Sequence, residues 1–305
     1  MKTSKVAKEL SRELPDRIKQ LSGMIARKPA HFTSNWAKSI KESFNLYTRT
    51  STINLFQSIN DVLIEAEWPL PSYIDLKDTI PNQIKLVLLM PNFLVLAKEL
   101  GQDESFNFEM SKLFRKYSKQ VFANFKENLL LKSQGRIIAE IERAYRLKMW
   151  AVCITSIFPL LDLVARSYFK TDNLRVSIQE LEQAFTLADI KPVDLKPGFS
   201  IHERQQDFGQ KDVLISSPEE DLRLLGIYLS SFLEFAKRYY GWYTSTSSKP
   251  SSKLNRHAII HCASECWTES NVVRLLMFLD LTIQLEDVFK ILIHGEIELT
   301  SLSKG

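Results

Sequence analysis

Residues 136–169 read RIIAEIERAYRLKMWAVCITSIFPLLDLVARSYF, with apolar side chains recurring at three- and four-residue intervals. That interval gathers them along one face of a helix with 3.6 residues per turn. Together with Gln134 and Gly135 the stretch is too long to stay straight. Pro159 removes an interior N–H donor and crowds the preceding turn, so a kink is expected there. Outward from this segment the same period continues through nearly the whole chain, with few alternating runs. Nine glycines in 305 residues are also a poor stock for hairpin turns. The reading is all-α: a helical bundle with kinked long helices.

Toward the N-terminus, a basic amphipathic segment at 3–28 is expected to break at Pro15, followed by a helix over 34–67. WPLPSY at 68–73 ends that helix, because two close prolines cannot continue it. Helical patterns resume over 82–100 and 108–131. Toward the C-terminus, a short helix at 177–188 precedes a loop, 191–216, with two prolines and two glycines. A loop of that length is usually functional or mobile. Ser217, Pro218, Glu219 and Glu220 supply an N-cap, a first-turn proline and two first-turn acids, launching a helix to about Tyr240. Thr268 or Ser270 caps a final long helix over 271–293. The chain divides into a helical N-terminal region, 1–130, and a helical C-terminal domain, 131–305.

With 45% hydrophobic and 25% charged residues, the composition is that of a globular protein with a real core. No apolar run reaches the roughly 20 residues that span a bilayer, and MKTSKVAKELSREL lacks the apolar centre and small-residue cleavage site of a secretory signal. A cytoplasmic protein with no membrane partner is expected. Three cysteines without framework spacing agree with a reducing compartment. The net charge of +4 is unevenly spread: residues 1–50 hold eleven Lys/Arg against four acids, net +7, leaving −3 for the rest. Lys19, Arg27, Lys28, Lys38 and Lys41 are candidate RNA-docking residues, since phosphate contacts need charge and not sequence-specific groups. The plainer alternative is a solvated helix face.

Chemistry is most legible in Asn255-Arg256-His257-Ala258-Ile259-Ile260-His261. Metal-free RNA cleavage needs an imidazole to move the proton of a 2′-hydroxyl and a permanent cation to stabilise charge on the phosphorane oxygens. Histidine titrates near neutral pH, while guanidinium stays charged and presents a planar fork to phosphate. An arginine and a histidine at this spacing are common, so position must decide. The pair follows a polar Ser/Thr-rich connection, 241–253, and precedes the final apolar helix.

That placement, with a polar residue after the arginine, resembles the Arg-(four to six residues)-His motif of the HEPN superfamily, all-helical domains that include RNA-cleaving toxins and phage-defence proteins. The resemblance covers about 131–295. It is nearest to the LNRHxIxHG form found in abortive-infection-like bacterial members, with Cys262 standing where glycine is usual. Residues 136–169 resemble the second helix of such a domain, which often carries an acidic or hydroxyl residue facing the motif; Asp162 is the best candidate. The resemblance implies catalysis by Arg256 and His261, assisted by Asn255, His257 and Asp162. It also implies a homodimer whose motifs meet at the interface, RNA as substrate, and an antitoxin or other defence-system component as a further partner. On one regular helix Arg256 and His261 lie about 140° apart, so the arginine must reach around, or the helix must start between them, or a second protomer must complete the site.

A metal reading competes through His257, His261, Cys262 and Cys266. On a continuous helix the histidine pair and the cysteine pair point to opposite sides and do not converge on one tetrahedral ion, so no metal is expected. Cys153 reads as core. His31, His202 and His294 stand alone. P-loop, GxGxxG and GxSxG signatures are absent, so no cofactor is expected. The leading expectation is a metal-independent endoribonuclease. The rival is a non-catalytic module of the same fold that binds RNA, a nucleotide or a protein.

Overall fold

The computed structural model describes residues 4–27, 49–71, 82–88, 90, 93–170, 173–192, 218–241, 254–256, 259 and 267–295. Among them the protein is all-α, without a strand. In chain order the helices are α1 (Lys5–Arg27), α2 (Arg49–Glu65), α3 (Asn82–Leu88), α4 (Phe93–Leu100), α5 (Glu104–Glu127), α6 (Gly135–Arg146), α7 (Trp150–Phe169), α8 (Leu174–Leu187), α9 (Pro218–Tyr239), α10 (Glu269–Gln284) and α11 (Glu286–Phe289), the last running into a π turn, Lys290–His294.

α1 continues through Pro15, where an interruption was expected. Ala7, Leu14, Ile18 and Leu21 form its buried stripe, and that stripe packs on α8, α9 and the π turn. The Pro15 ring faces solvent. Burial of the stripe outweighs the single backbone bond that proline removes.

The long segment around 134–169 is not one helix. Pro159 lies within α7, on its exposed side, and the break falls earlier, between α6 and α7. There the Met149 N–H donates to Ala144 O at 2.9 Å and the Lys148 N–H to Tyr145 O at 3.1 Å, while Lys148 takes φ 58°. This is a Schellman cap, which normally places glycine at the left-handed position. α2 ends the same way at Glu67 (φ 60°) and α8 at Asp189 (φ 53°). With Lys170 (φ 48°) ending α7, this glycine-poor chain stops four of the described helices on ordinary left-handed residues, each strained by about 1–2 kcal/mol. No glycine marked these stops in the sequence.

α10 forms the hub. Thr268 caps it, its Oγ1 accepting from the Asn271 N–H at 3.3 Å. Every residue from Asn271 to Thr282 is buried, against α5, α7 and α9. The helix stops at Gln284 instead of running on to 293, and Gly295 closes the π turn in the left-handed conformation (φ 65°). Phe232 of α9 meets Phe289 of α11 at 4.7 Å between ring centroids, and Phe235 meets Phe278 of α10 at the same distance. A single core cluster runs from Leu14 to Leu292.

Arg274 is buried within α10. Its guanidinium lies 4.6 Å from the Trp68 ring and donates to Asn271 Oδ1 (2.8 Å), Asn107 Oδ1 (2.9 Å) and Gly101 O (3.3 Å). Burial lowers its pKa to about 10, with Glu67 pulling the other way. α7 is long and apolar enough to cross a membrane by length and composition, although the sequence reading found no such run. More than half of it is buried against its neighbours.

Candidate active site

Thr155, Pro159, Asp162 and Arg166 follow one another along α7 at intervals of four, three and four, which stacks them on one face. Pro159 has no N–H, so the Thr155 carbonyl lacks its helical donor on that face. A turn after α9 packs opposite. The Ile259 N–H donates to Asn255 O at 3.0 Å, so a helical turn starts at Asn255, and buried Leu254 and Ile259 anchor it.

Asn255 is itself buried and turned inward. Its Nδ2 donates to Gly241 O (2.9 Å) and Arg238 O (3.2 Å), satisfying carbonyls at the end of α9 that have no partner within the helix. Glycine is required at 241 because a Cβ there would lie 2.7 Å from Lys237 O. The residue after Asn255 is therefore held in register with α7. Arg256 Nη2 lies 2.6 Å from Asp162 Oδ2, the two side chains being 35% and 15% exposed.

Burial raises the Asp162 carboxyl above its ordinary value, while Arg256 and then Arg166 pull it down. Two tyrosines ending α9, Tyr239 and Tyr240, lie nearby with ring centroids 4.7 Å apart. Burial drives both phenols up. Asp162 adds to the effect, and Arg256 opposes it. Among the described residues Asp162 Oδ1, Arg256 Nε and both phenol oxygens are buried without a hydrogen-bond partner. The pair borders an open cavity of about 700 Å³, walled by Phe158, Pro159, Leu163 and Trp267, with Arg166 at its edge. The guanidiniums of Arg256 and Arg166 both line the cavity, and a guanidinium fork matches the planar oxygen pairs of a phosphate.

No family model, curated protein or solved structure matches this chain.

Of the residues singled out in the sequence, Arg256 and Asp162 come together, and Asn255 reaches α9. His257 and His261 lie outside the described residues, as do Lys28, Lys38 and Lys41 and the cysteine pair of the metal reading. Lys19 is exposed on α1, and Arg27 is that helix's last residue. Sequence reasoning missed Arg166, although its spacing of one turn beyond Asp162 is a usable signal. It also missed a basic stretch over 112–148, hidden because charge was totalled over everything after residue 50.

Proposed function

We propose that this chain is a metal-independent endoribonuclease of the HEPN type, working in the cytoplasm as a homodimer and serving as a toxin or phage-defence effector. The observation that supports it most is the 2.6 Å pairing of Arg256 with Asp162, contributed by separate elements, in the wall of an open cavity. Asp162 aims the guanidinium, and Asn255 fixes the turn that carries it.

In this reading His261 takes the proton from a ribose 2′-hydroxyl as the 2′ oxygen attacks the adjacent phosphorus. Arg256 neutralises the phosphorane oxygens. The bond to the 5′ oxygen breaks, an imidazolium returns the proton to that oxygen, and the products carry a 2′,3′-cyclic phosphate and a 5′-hydroxyl. No metal takes part, so chelation leaves the reaction intact.

The test is to incubate purified protein with bulk RNA in EDTA, beside folded Arg256→Ala and His261→Ala proteins, and to map fragment ends. Cleavage by the unaltered protein alone, with cyclic phosphate ends, is expected. Activity that survives both substitutions, or that EDTA abolishes, refutes the assignment.

The engagement of Arg256 by Asp162 also favours a second reading: a non-catalytic module of the same fold that binds RNA, a nucleotide or a protein, such as an antitoxin or another defence component. High-level expression separates the two. A nuclease arrests growth and its Arg256→Ala form does not, whereas a binding module gives equal growth.

A further inference from the structure

Residues 112–148 carry ten Lys/Arg against Glu127, Glu140 and Glu142, a net charge of +7 that equals that of the first fifty residues. They lie on α5, α6 and the turn leading to α7. These helices border a cleft of about 740 Å³ into which Arg115, Lys119, Arg146 and Lys148 converge beside Phe108 and Trp150.

We infer that this cleft binds single-stranded RNA, with phosphates on its cations and an unpaired base on Phe108. In its choice of polymer the inference rests on the nuclease reading; the binding itself is measurable without cleavage.

The two acids in the cleft are already engaged and serve to orient cations. Glu142 holds Lys126 at 2.6 Å and pairs with Arg146. Glu269 receives Nε and Nη2 of Arg115, each at 2.7 Å, and the Tyr145 hydroxyl at 3.1 Å. Lys119 makes no ion pair among the described residues, and exposed Lys148 is set at the left-handed stop of α6. Phe108 is 54% exposed although its ring is large and apolar. The Arg115 guanidinium lies 5.4 Å from its centroid, so a cation and an aromatic face are offered together. Trp150 leans on Tyr145 at 5.6 Å, and the turn between them exposes Leu147 and Met149.

Aromatic faces set among cations are how proteins hold single strands with little sequence preference, because every base has a π face. A paired base keeps its faces within the helix stack, so a duplex gains the charge contacts only. The same two elements line the cleft and the Arg256 cavity. Glu269 lines the cleft, and Trp267, two residues earlier, lines the cavity. α7 runs from Trp150 at the cleft to Asp162 at the cavity, about 18 Å at 1.5 Å per residue.

The experiment uses full-length Arg256→Ala protein, which removes cleavage, and fluorescence anisotropy of a labelled single-stranded RNA of about 16 nucleotides, the upper end of single-strand site sizes. Lys119→Glu with Lys148→Glu is expected to weaken binding at least about tenfold and to reduce the slope of log affinity on log salt by about 1.4, or 0.7 per phosphate. Phe108→Ala is expected to weaken binding about tenfold with the salt slope unchanged. All these side chains are exposed, and circular dichroism verifies the fold of each variant.

Equal binding by the variants overturns the inference. So does loss of binding with Lys19→Glu instead, which moves docking to α1, or equal affinity for a duplex of the same length. Binding that behaves as expected in a protein whose Arg256 form never cleaves RNA leaves the cleft standing and removes the nuclease. Cleavage of RNA by Lys119→Glu/Lys148→Glu protein at the unaltered rate and KM leaves the nuclease standing and removes the cleft.

Discussion

Replacing Asn255 by alanine separates a structural anchor from a participant in chemistry. The side chain is buried, and its Nδ2 donates to two carbonyls at 2.9 and 3.2 Å. Each bond contributes about 0.5–1.5 kcal/mol net, so their joint loss, with the carbonyls left dry, costs about 2 kcal/mol. Unfolding entropy of about 2.1 cal/mol/K per residue gives about 0.64 kcal/mol/K for this chain, so Tm falls by about 3 °C. Asn255→Asp keeps the shape but sets a carboxylate against two carbonyls, and it is expected to cost more than alanine. The pH dependence follows from sign. That carboxyl's pKa is raised in the fold, so the deficit is smallest below the unfolded value of about 4 and grows as pH rises through the raised value. Thermal melts followed by circular dichroism between pH 4 and 8 measure both effects. An unchanged Tm for Asn255→Ala, or an aspartate as stable as asparagine at pH 8, refutes the anchoring role; lost RNA cleavage at unchanged Tm assigns the residue to the chemistry.

Four further outcomes follow from the geometry. Asp162 has its carboxyl raised chiefly by burial, so its contribution to stability is fullest below the unfolded pKa of about 4 and is lost as pH rises through the folded one; the stability of Asp162→Asn relative to the unaltered protein should increase from pH 4 to 7 in denaturant titrations. A decrease over that range means that the attraction of Arg256 outweighs burial. Gly241→Ala forces a Cβ to 2.7 Å from Lys237 O and should destabilise by about 1–3 kcal/mol, read as a lower urea midpoint. Asp189→Gly relieves a left-handed residue (φ 53°) and should stabilise by about 0.5–1 kcal/mol after the extra freedom of the unfolded glycine is subtracted. The Cys153 thiol, pushed up to about 11 by burial, should resist alkylation at pH 8 in the native protein and react on unfolding, as peptide mass spectrometry would report.

The helical class was legible because three- and four-residue periodicity survives anywhere an apolar stripe is buried, and α1, α6 and α7 all carry one. Prolines misled. Pro15 and Pro159 both sit on exposed faces, where the neighbouring stripe holds the helix through the missing bond, so the break expected at Pro15 does not occur and α7 runs on past Pro159. The real stops at Glu67, Lys148 and Asp189 use a conformation that glycine usually announces and these residues do not. In the site, the nearness of Asp162 to Arg256 was an expectation drawn from resemblance, and the two lie within ion-pair distance. The inward turn of Asn255 depends on where α9 ends relative to the next turn, a tertiary fact that no local pattern encodes. Arg166 and the 112–148 charge were present in the sequence and escaped because the first was read singly and the second was averaged away.

The seating of α1 has a consequence for how the protein is made. Its apolar stripe is covered chiefly by α8, α9 and the π turn, the nearest of which begins at Leu174. A ribosome adding about 5–20 residues per second needs about 7–30 s to go from Arg27 to that point. Throughout that interval Ala7, Leu14, Ile18 and Leu21 lack most of their eventual cover, so α1 is made before α8 and α9 but seated only after them. A nascent chain of this design is a client for whatever holds hydrophobic segments at the exit tunnel, and a stall anywhere before residue 174 leaves a sticky amphipathic helix exposed.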